Sequence, residues 1–396
     1  MFNIQNDVQY TEHSPVHKLP HPSNSSVTVS SSSDGELRAA PCRFRLVAIL
    51  LCSLAATAAG SSHGRVLGQV ATLQDSGVAA RLRGVSAVSD RVVWASGTNG
   101  TVVRTLDAGA SWEEIRITPA EALDVRDVDA FDENTAYALS IGSGTDSRIF
   151  KTVDGGANWV TQFVNDEPLG FFDAMSFWDS ERGVAVSDSI DGRFYVLLTA
   201  DGGGNWTRVP AAGLPAALPG EGYFAASGTN VTTWGADHVW FGTGAAAQAR
   251  VGRSTDGGRT WEIAVTPLPA GPSTGIFSIA FRDADHGIVV GGDYRLEDQA
   301  LDNAAITEDG GRTWSLVEGR PLSGFRSAVG YVPGSATPTL IAVGPTGADI
   351  SRDDGHNWAP LTSPLGLHTL SFAPTARTGW AAGNDGKIVR FSPSGR

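Results

Sequence analysis

The sequence predicts an all-β fold of seven four-stranded sheets set in a ring, and three observations point to it. An eight-residue pattern, S/T-x-D-x-G-x-x-W, occurs six times. Its aspartates, Asp107, Asp154, Asp201, Asp256, Asp309 and Asp353, follow one another at 44 to 55 residues, the length of one four-stranded blade. The composition, 48 glycines and 11 tryptophans in 396 residues, suits short strands and tight turns. It disfavours helix, where an interior glycine costs about 1 kcal/mol relative to alanine. A single seven-bladed β-propeller over residues 64–393 accounts for all three.

Each unit reads alike along the chain. First comes a run suited to an innermost strand: GVSAV from Gly84, VRDVDAF from Val125, FFDAMSF from Phe171, YFAASG from Tyr223, IFSIAF from Ile276, SAVGYV from Ser327 and HTLSF from His368. The second run ends in small residues, as in VVWASG from Val92, AYALS from Ala136 and GWAAG from Gly379, which lets backbones crowd toward a central axis. A third β-rich run follows, from TVVR at Thr101 to KIVRF at Lys387. The repeated pattern then makes a hairpin: the aspartate accepts N–H groups two or three residues on, and the glycine supplies a positive φ. A tryptophan (Trp112, Trp159, Trp206, Trp261, Trp314 or Trp358) opens the fourth strand with its ring turned inward. The seventh unit has no such turn. Its outer strand is expected from RVLGQVATL, Arg65 to Leu73, which closes the ring without a free sheet edge.

Residues 43–59, RFRLVAILLCSLAATAA, place two arginines before an apolar run that ends in small residues. This is the pattern of a secretory signal peptide, with cleavage after Ala58 or Ala59, so the chain is expected in the periplasm or outside the cell. The run falls short of the roughly 20 apolar residues of a membrane span, so membrane contact is expected only through this segment. Residues 1–42 are serine- and histidine-rich without periodicity, and read as a disordered extension or as sequence upstream of the true start. Both cysteines, Cys42 and Cys52, lie in the part expected to be removed, which excludes disulfides, thiolate metal sites and a cysteine nucleophile from the mature chain. A net charge of −13 argues against a nucleic-acid partner. No G-x-G-x-x-G or P-loop is present, and Ser273 in GPSTG, the one G-x-S-x-G match considered, sits after prolines rather than between strand and helix. No metal or cofactor is expected.

The six S/T-x-D-x-G-x-x-W hairpins resemble the Asp-box, or BNR, repeats of sialidases and of Ycf48-like photosystem II assembly factors. The likeness extends over the whole mature chain. It implies a propeller of the Ycf48 type that serves as a non-enzymatic, monomeric scaffold for another extracytoplasmic protein or complex. Such relatives dock through an arginine-rich surface, whereas this chain is acidic. A sialidase-type glycosidase acting on an extracellular glycan is the alternative. It would need a tyrosine nucleophile with a glutamate partner, and only Tyr223 with Glu221 offers that pair on one strand face. The arginine clamp for a substrate carboxylate is missing.

The repeated aspartates and tryptophans are accounted for by turn chemistry, so they read as architecture. Candidate binding residues fall instead in long polar loops on the opposite face. GGDYRLEDQALDNA, from Gly291, carries Asp293, Tyr294 and Arg295; PAAGLPAALPGEGYF, from Pro210, delivers Glu221 and Tyr223; SDSIDGR, from Ser187, adds Asp188, Asp191 and Arg193.

Overall fold

The computed structural model describes residues 69–393; the expected signal segment, the N-terminal extension and Arg65 to Gly68 lie outside them. Within them the chain forms seven four-stranded antiparallel sheets. The inner strands of blades 1 to 7 are Leu82–Ala87, Asp124–Ala130, Phe172–Phe177, Val231–Trp234, Thr274–Phe281, Ala328–Tyr331 and Leu367–Phe372. Each inner strand adjoins the next, and the seventh adjoins the first, so the sheets make a closed seven-bladed β-propeller.

Closure is by hydrogen bonding across the whole chain. Strand Gln69–Asp75 pairs antiparallel with Lys387–Pro393, Thr72 opposite Arg390, and supplies the outer strand of blade 7. The strand expected to end at Leu73 therefore runs to Asp75. Ser76 fixes its end by donating its hydroxyl to the Gly386 carbonyl at 2.5 Å.

The apolar core lies between blades rather than within them. Seven clusters of buried side chains each straddle two neighbouring sheets. In six of them the tryptophan of a repeated turn wedges its own blade against the preceding one, as Trp159 does edge-on to Trp94, with ring centroids 6.4 Å apart. The seventh, between blades 6 and 7, is filled by Phe391 and Ala71 in place of a tryptophan. This matches the absent seventh turn.

One strand assignment is corrected. YFAASG, from Tyr223, is not the inner strand of blade 4; that strand is Val231–Trp234, and residues 223–228 have no ladder partner. The run is apolar because it is buried, not because it is paired.

Burial predicts the energetic ranking of the tryptophans. Trp94→Ala, at a fully buried inter-blade site, is expected to cost about 3–5 kcal/mol in a denaturant titration. Trp234→Ala, 40% exposed, should stay within about 0.5 kcal/mol of the parent.

Candidate functional site

The two faces of the ring differ in chemistry. On one lie the six repeated turns, built alike. The Ser or Thr hydroxyl donates to Oδ1 of the aspartate at 2.7–3.0 Å. The glycine N–H donates to that hydroxyl at 2.9–3.0 Å. The residue before the tryptophan donates its N–H to Oδ1 at 2.9 Å. Its side chain, that of Ser111, Asn158, Asn205, Thr260, Thr313 or Asn357, reaches Oδ2 at 2.6–2.8 Å. The aspartate thus accepts from four residues on, further than the sequence suggests. The residue after it has a positive φ and donates its N–H to the first hairpin of the same blade, as Gly155 does to Asn134. These bonds favour the carboxylate form: those from Ser111 pull Asp107 down to about 2, and those from Asn158 and Asn205 lower Asp154 and Asp201. Every carboxylate is committed to its own turn and leaves little for a ligand.

The opposite face carries the connections from second to third and from fourth to first strands, including the loops singled out above. They do converge, but not as an open site. Glu221 is 2% exposed, and both its oxygens are bound by Arg250, with Oε1 also accepting from Thr243 at 2.7 Å and Oε2 from the Leu218 N–H at 2.7 Å. Tyr223 is buried edge-on against Phe194 and Phe241, and burial followed by the Glu221 charge drives its hydroxyl well above the usual phenol range. A committed glutamate and an enclosed tyrosine do not present a nucleophile to a glycan, so this pair is part of the core. Asp188 turns inward and accepts the Tyr223 N–H at 2.9 Å. Asp191 and Gly192 form a two-residue hairpin turn, both with positive φ, which leaves Arg193 exposed beside it. Asp293 caps its own turn through the Arg295 N–H at 2.8 Å. Tyr294 lies edge-on to the stacked rings of Phe224 and Phe277 and carries the Arg295 guanidinium 5.6 Å from its ring centre.

The segment misread as a strand is the main feature of this face. After Tyr223 the chain crosses the axis of the ring and meets the inner strands of the other blades. Arg126 of blade 2 donates to the Ala225 carbonyl at 2.7 Å, and Arg83 of blade 1 to that of Ala226 at 3.2 Å. Thr369 of blade 7 donates to the Ser227 carbonyl at 2.9 Å. The Ser227 hydroxyl donates to the Ser327 carbonyl of blade 6 at 2.8 Å, and the Thr229 hydroxyl to Ser278 of blade 5 at 2.7 Å. Gly228, at φ +72°, lies against the Asp127 carboxylate where a methyl group would collide with it. Residues 222–230 therefore plug the central channel.

The inner strands are shaped for this. In blades 1, 2, 3, 5 and 7 their register slips by one residue at Arg83, Arg126, Asp173, Phe277 and His368. A bulge takes a side chain out of the pleat's alternation and re-aims it, and four of these five bulged residues are charged or titratable. Burial pushes Asp127 and Asp173 well above the usual carboxylate range and Asp129 to about 7, while burial and the nearby Arg83 hold His368 down at about 2. Among the described residues no group of three or more His, Cys, Asp or Glu is placed to hold a metal ion, and no helix is long and apolar enough to cross a membrane.

No protein-family model and no curated protein matches this chain. Solved structures do. YCF48 from Cyanidioschyzon merolae superposes with a TM-score of 0.57 at 18% identity, covering 81% of this chain and 98% of that one. A structure of YCF48 bound to D1 peptide gives 0.57 at 16% identity, covering 82% and 97%. The Neurospora crassa Pan2 WD40 domain gives 0.55 at 15% identity, covering 80% and 90%. At these identities the likeness is one of fold, and that shared fold is the propeller.

Two outcomes follow from the buried charges. Glu221→Ala strands the Arg250 guanidinium in the interior and is expected to cost about 3–5 kcal/mol in urea unfolding. Because Asp129 binds its proton more tightly folded than unfolded, its contribution is complete below the ordinary carboxylate range near pH 4 and is lost as pH rises through about 7. The stability difference between parent and Asp129→Asn, followed by unfolding from pH 4 to 8, should therefore drift against the parent as pH rises.

Proposed function

We propose that this protein is an exported, non-enzymatic propeller that binds another extracytoplasmic protein, as a scaffold of the Ycf48 type. The observation that carries the reading is the loop between the second and third strands of blade 5. Next to the Phe224, Phe277 and Tyr294 rings it exposes Arg295, Leu296, Asp298, Leu301 and Asp302 to solvent, and the two leucines are 55% and 61% accessible. Aromatic, arginine and leucine side chains on a protruding loop form a protein-contact surface, with acids around them for charge selection. The solved YCF48 bound to D1 peptide supports the class of partner by fold analogy. The signal-like segment supports the location.

The glycosidase alternative loses its main support with the enclosure of Glu221 and Tyr223. Turnover of a chromogenic glycoside by the purified chain would restore it.

Affinity capture from a native extracytoplasmic extract tests the scaffold reading. The double variant Tyr294→Ala with Leu296→Ala should lose most of the partner retained by the parent, with a Tm within a few degrees of it, since both side chains are at least partly exposed. Equal recovery by parent and variant would contradict the assignment of this loop. Intact-mass analysis of the exported protein should find its first residue at Ala59 or Gly60.

A further inference from the structure

We propose that the mouth of the central channel on the face of the repeated turns is a binding site for an alkylammonium group, held by Asp129 with Ser86 and Ser371. The site lies opposite the blade 5 loop and is independent of the scaffold reading.

The plug fills the channel from the loop face inward and leaves a pit at the other mouth. It meets the inner strands at Arg83, Arg126, Asp173, Phe277 and Ser327. Three residues further along the chain in each blade come Ser86, Asp129, Ser176, Ala280 and Gly330, and Ser371 is their counterpart in blade 7. That is roughly 10 Å along the axis, toward the face of the repeated turns. All six are half-buried, whereas the two residues before each of them are buried. Solvent therefore enters the axis from this face, reaches one ring of side chains and stops at the buried layer above the plug.

These side chains belong to the channel because of what they hold. An inner strand has a neighbour on one edge only, so its outward N–H groups point at the axis. The Ala87 N–H is met by the Ser371 hydroxyl at 3.1 Å, the Ala130 N–H by Ser86 at 3.0 Å and the Phe177 N–H by Asp129 Oδ2 at 3.1 Å. Blades 7, 1 and 2 thus line one side of the pit with oxygen. Ser176 and Thr233 continue that wall with their hydroxyls 3.1 Å apart, and Thr233 donates to the Phe177 carbonyl at 2.8 Å. On the other side Ala280 and Gly330 bring no polar side chain.

The chemistry of this wall selects a cation. Among the described residues only the Phe177 N–H bonds Asp129, through Oδ2, which leaves Oδ1 for a ligand. None of the ion pairs of the described residues includes Asp129. Arg282, two residues beyond Ala280, is taken by Asp283 and Asp354. Asp127, two residues before Asp129, is a second carboxylate rather than a counter-charge. A partly desolvated carboxylate without a cation favours an incoming one. A primary ammonium brings three donors, one each for Asp129 Oδ1, Ser86 Oγ and Ser371 Oγ, and its alkyl chain passes Ala280 and Gly330. A guanidinium pairs best with both oxygens of a carboxylate, and one is already spent. A metal ion needs more charged ligands than this ring supplies.

Amide NMR of the full chain at pH 8, where Asp129 is ionised, tests the site. On titration with n-butylammonium chloride at constant ionic strength, the N–H signals of Ala87, Ala130 and Phe177 should shift saturably, and n-butanol should leave them in place. A lysine side chain shares the chemistry of a free amine, so Nα-acetyl-lysine amide is titrated alongside, and the tighter binder names the source. Asp129→Asn should weaken butylammonium binding at least about tenfold. No shift at the three amides with either cation overturns the proposal, as do equal shifts with n-butanol or unchanged affinity in Asp129→Asn. The parent's comparison of cation with alcohol decides alone if the variant does not fold.

Discussion

Arg126 reaches from the inner strand of blade 2 to the Ala225 carbonyl on the axis of the ring, and the loop face depends on that contact and its neighbours. Seven inner strands set around one axis leave a gap that water or chain must fill. Here chain fills it, with a segment that belongs to no sheet. Each buried peptide group of such a segment must find a partner or cost about 1–3 kcal/mol. The partners come from six other blades, through two guanidiniums, two hydroxyls, a backbone carbonyl and a set of carboxyl groups, and bulges in five inner strands re-aim side chains toward the axis.

This arrangement separates the two faces in role. The repeated turns lock each third strand to its fourth and drive a tryptophan between blades, so they set the ring's geometry from its rim. Their carboxylates hold low proton affinity because each is surrounded by donors. The axial acids are surrounded by backbone and by each other, and hold high proton affinity. One residue type therefore does opposite electrostatic work at the rim and at the axis, where burial raises Asp129 to about 7. Contact with another protein falls to the exposed side of the blade 5 loop.

The ring was legible in the sequence because its determinants repeat. Six copies of S/T-x-D-x-G-x-x-W count the blades, and the missing seventh copy points to an outer strand from the other end of the chain. The plug was not legible, since YFAASG has the apolar content of an inner strand and differs only in lacking a partner, which no local pattern records. Glu221 and Tyr223 suffered for the same reason: a two-residue spacing puts both on one strand face, but their segment is not a strand, and each finds its own buried surroundings. Tyr294 and Arg295 were legible as part of a loop between second and third strands, because loop length and polarity are local properties. The signal behind the axial acids was present in VRDVDAF, where alternate carboxylates sit on an otherwise apolar inner strand. That pattern marks an acidic axis once the ring is known.

The central claim is that residues of the 222–230 segment fill the channel, and labelling of a single thiol tests it most directly. Ser227 is 1% exposed at the centre of the plug. In a chain carrying Ser227→Cys together with Cys42→Ser and Cys52→Ser, the account predicts that the thiol is shielded from a soluble disulfide reagent at pH 6. It should react at least about a hundredfold more slowly than in denaturant. Reaction at the denatured rate, with the fold intact by circular dichroism, would mean that the channel is open and would contradict the account.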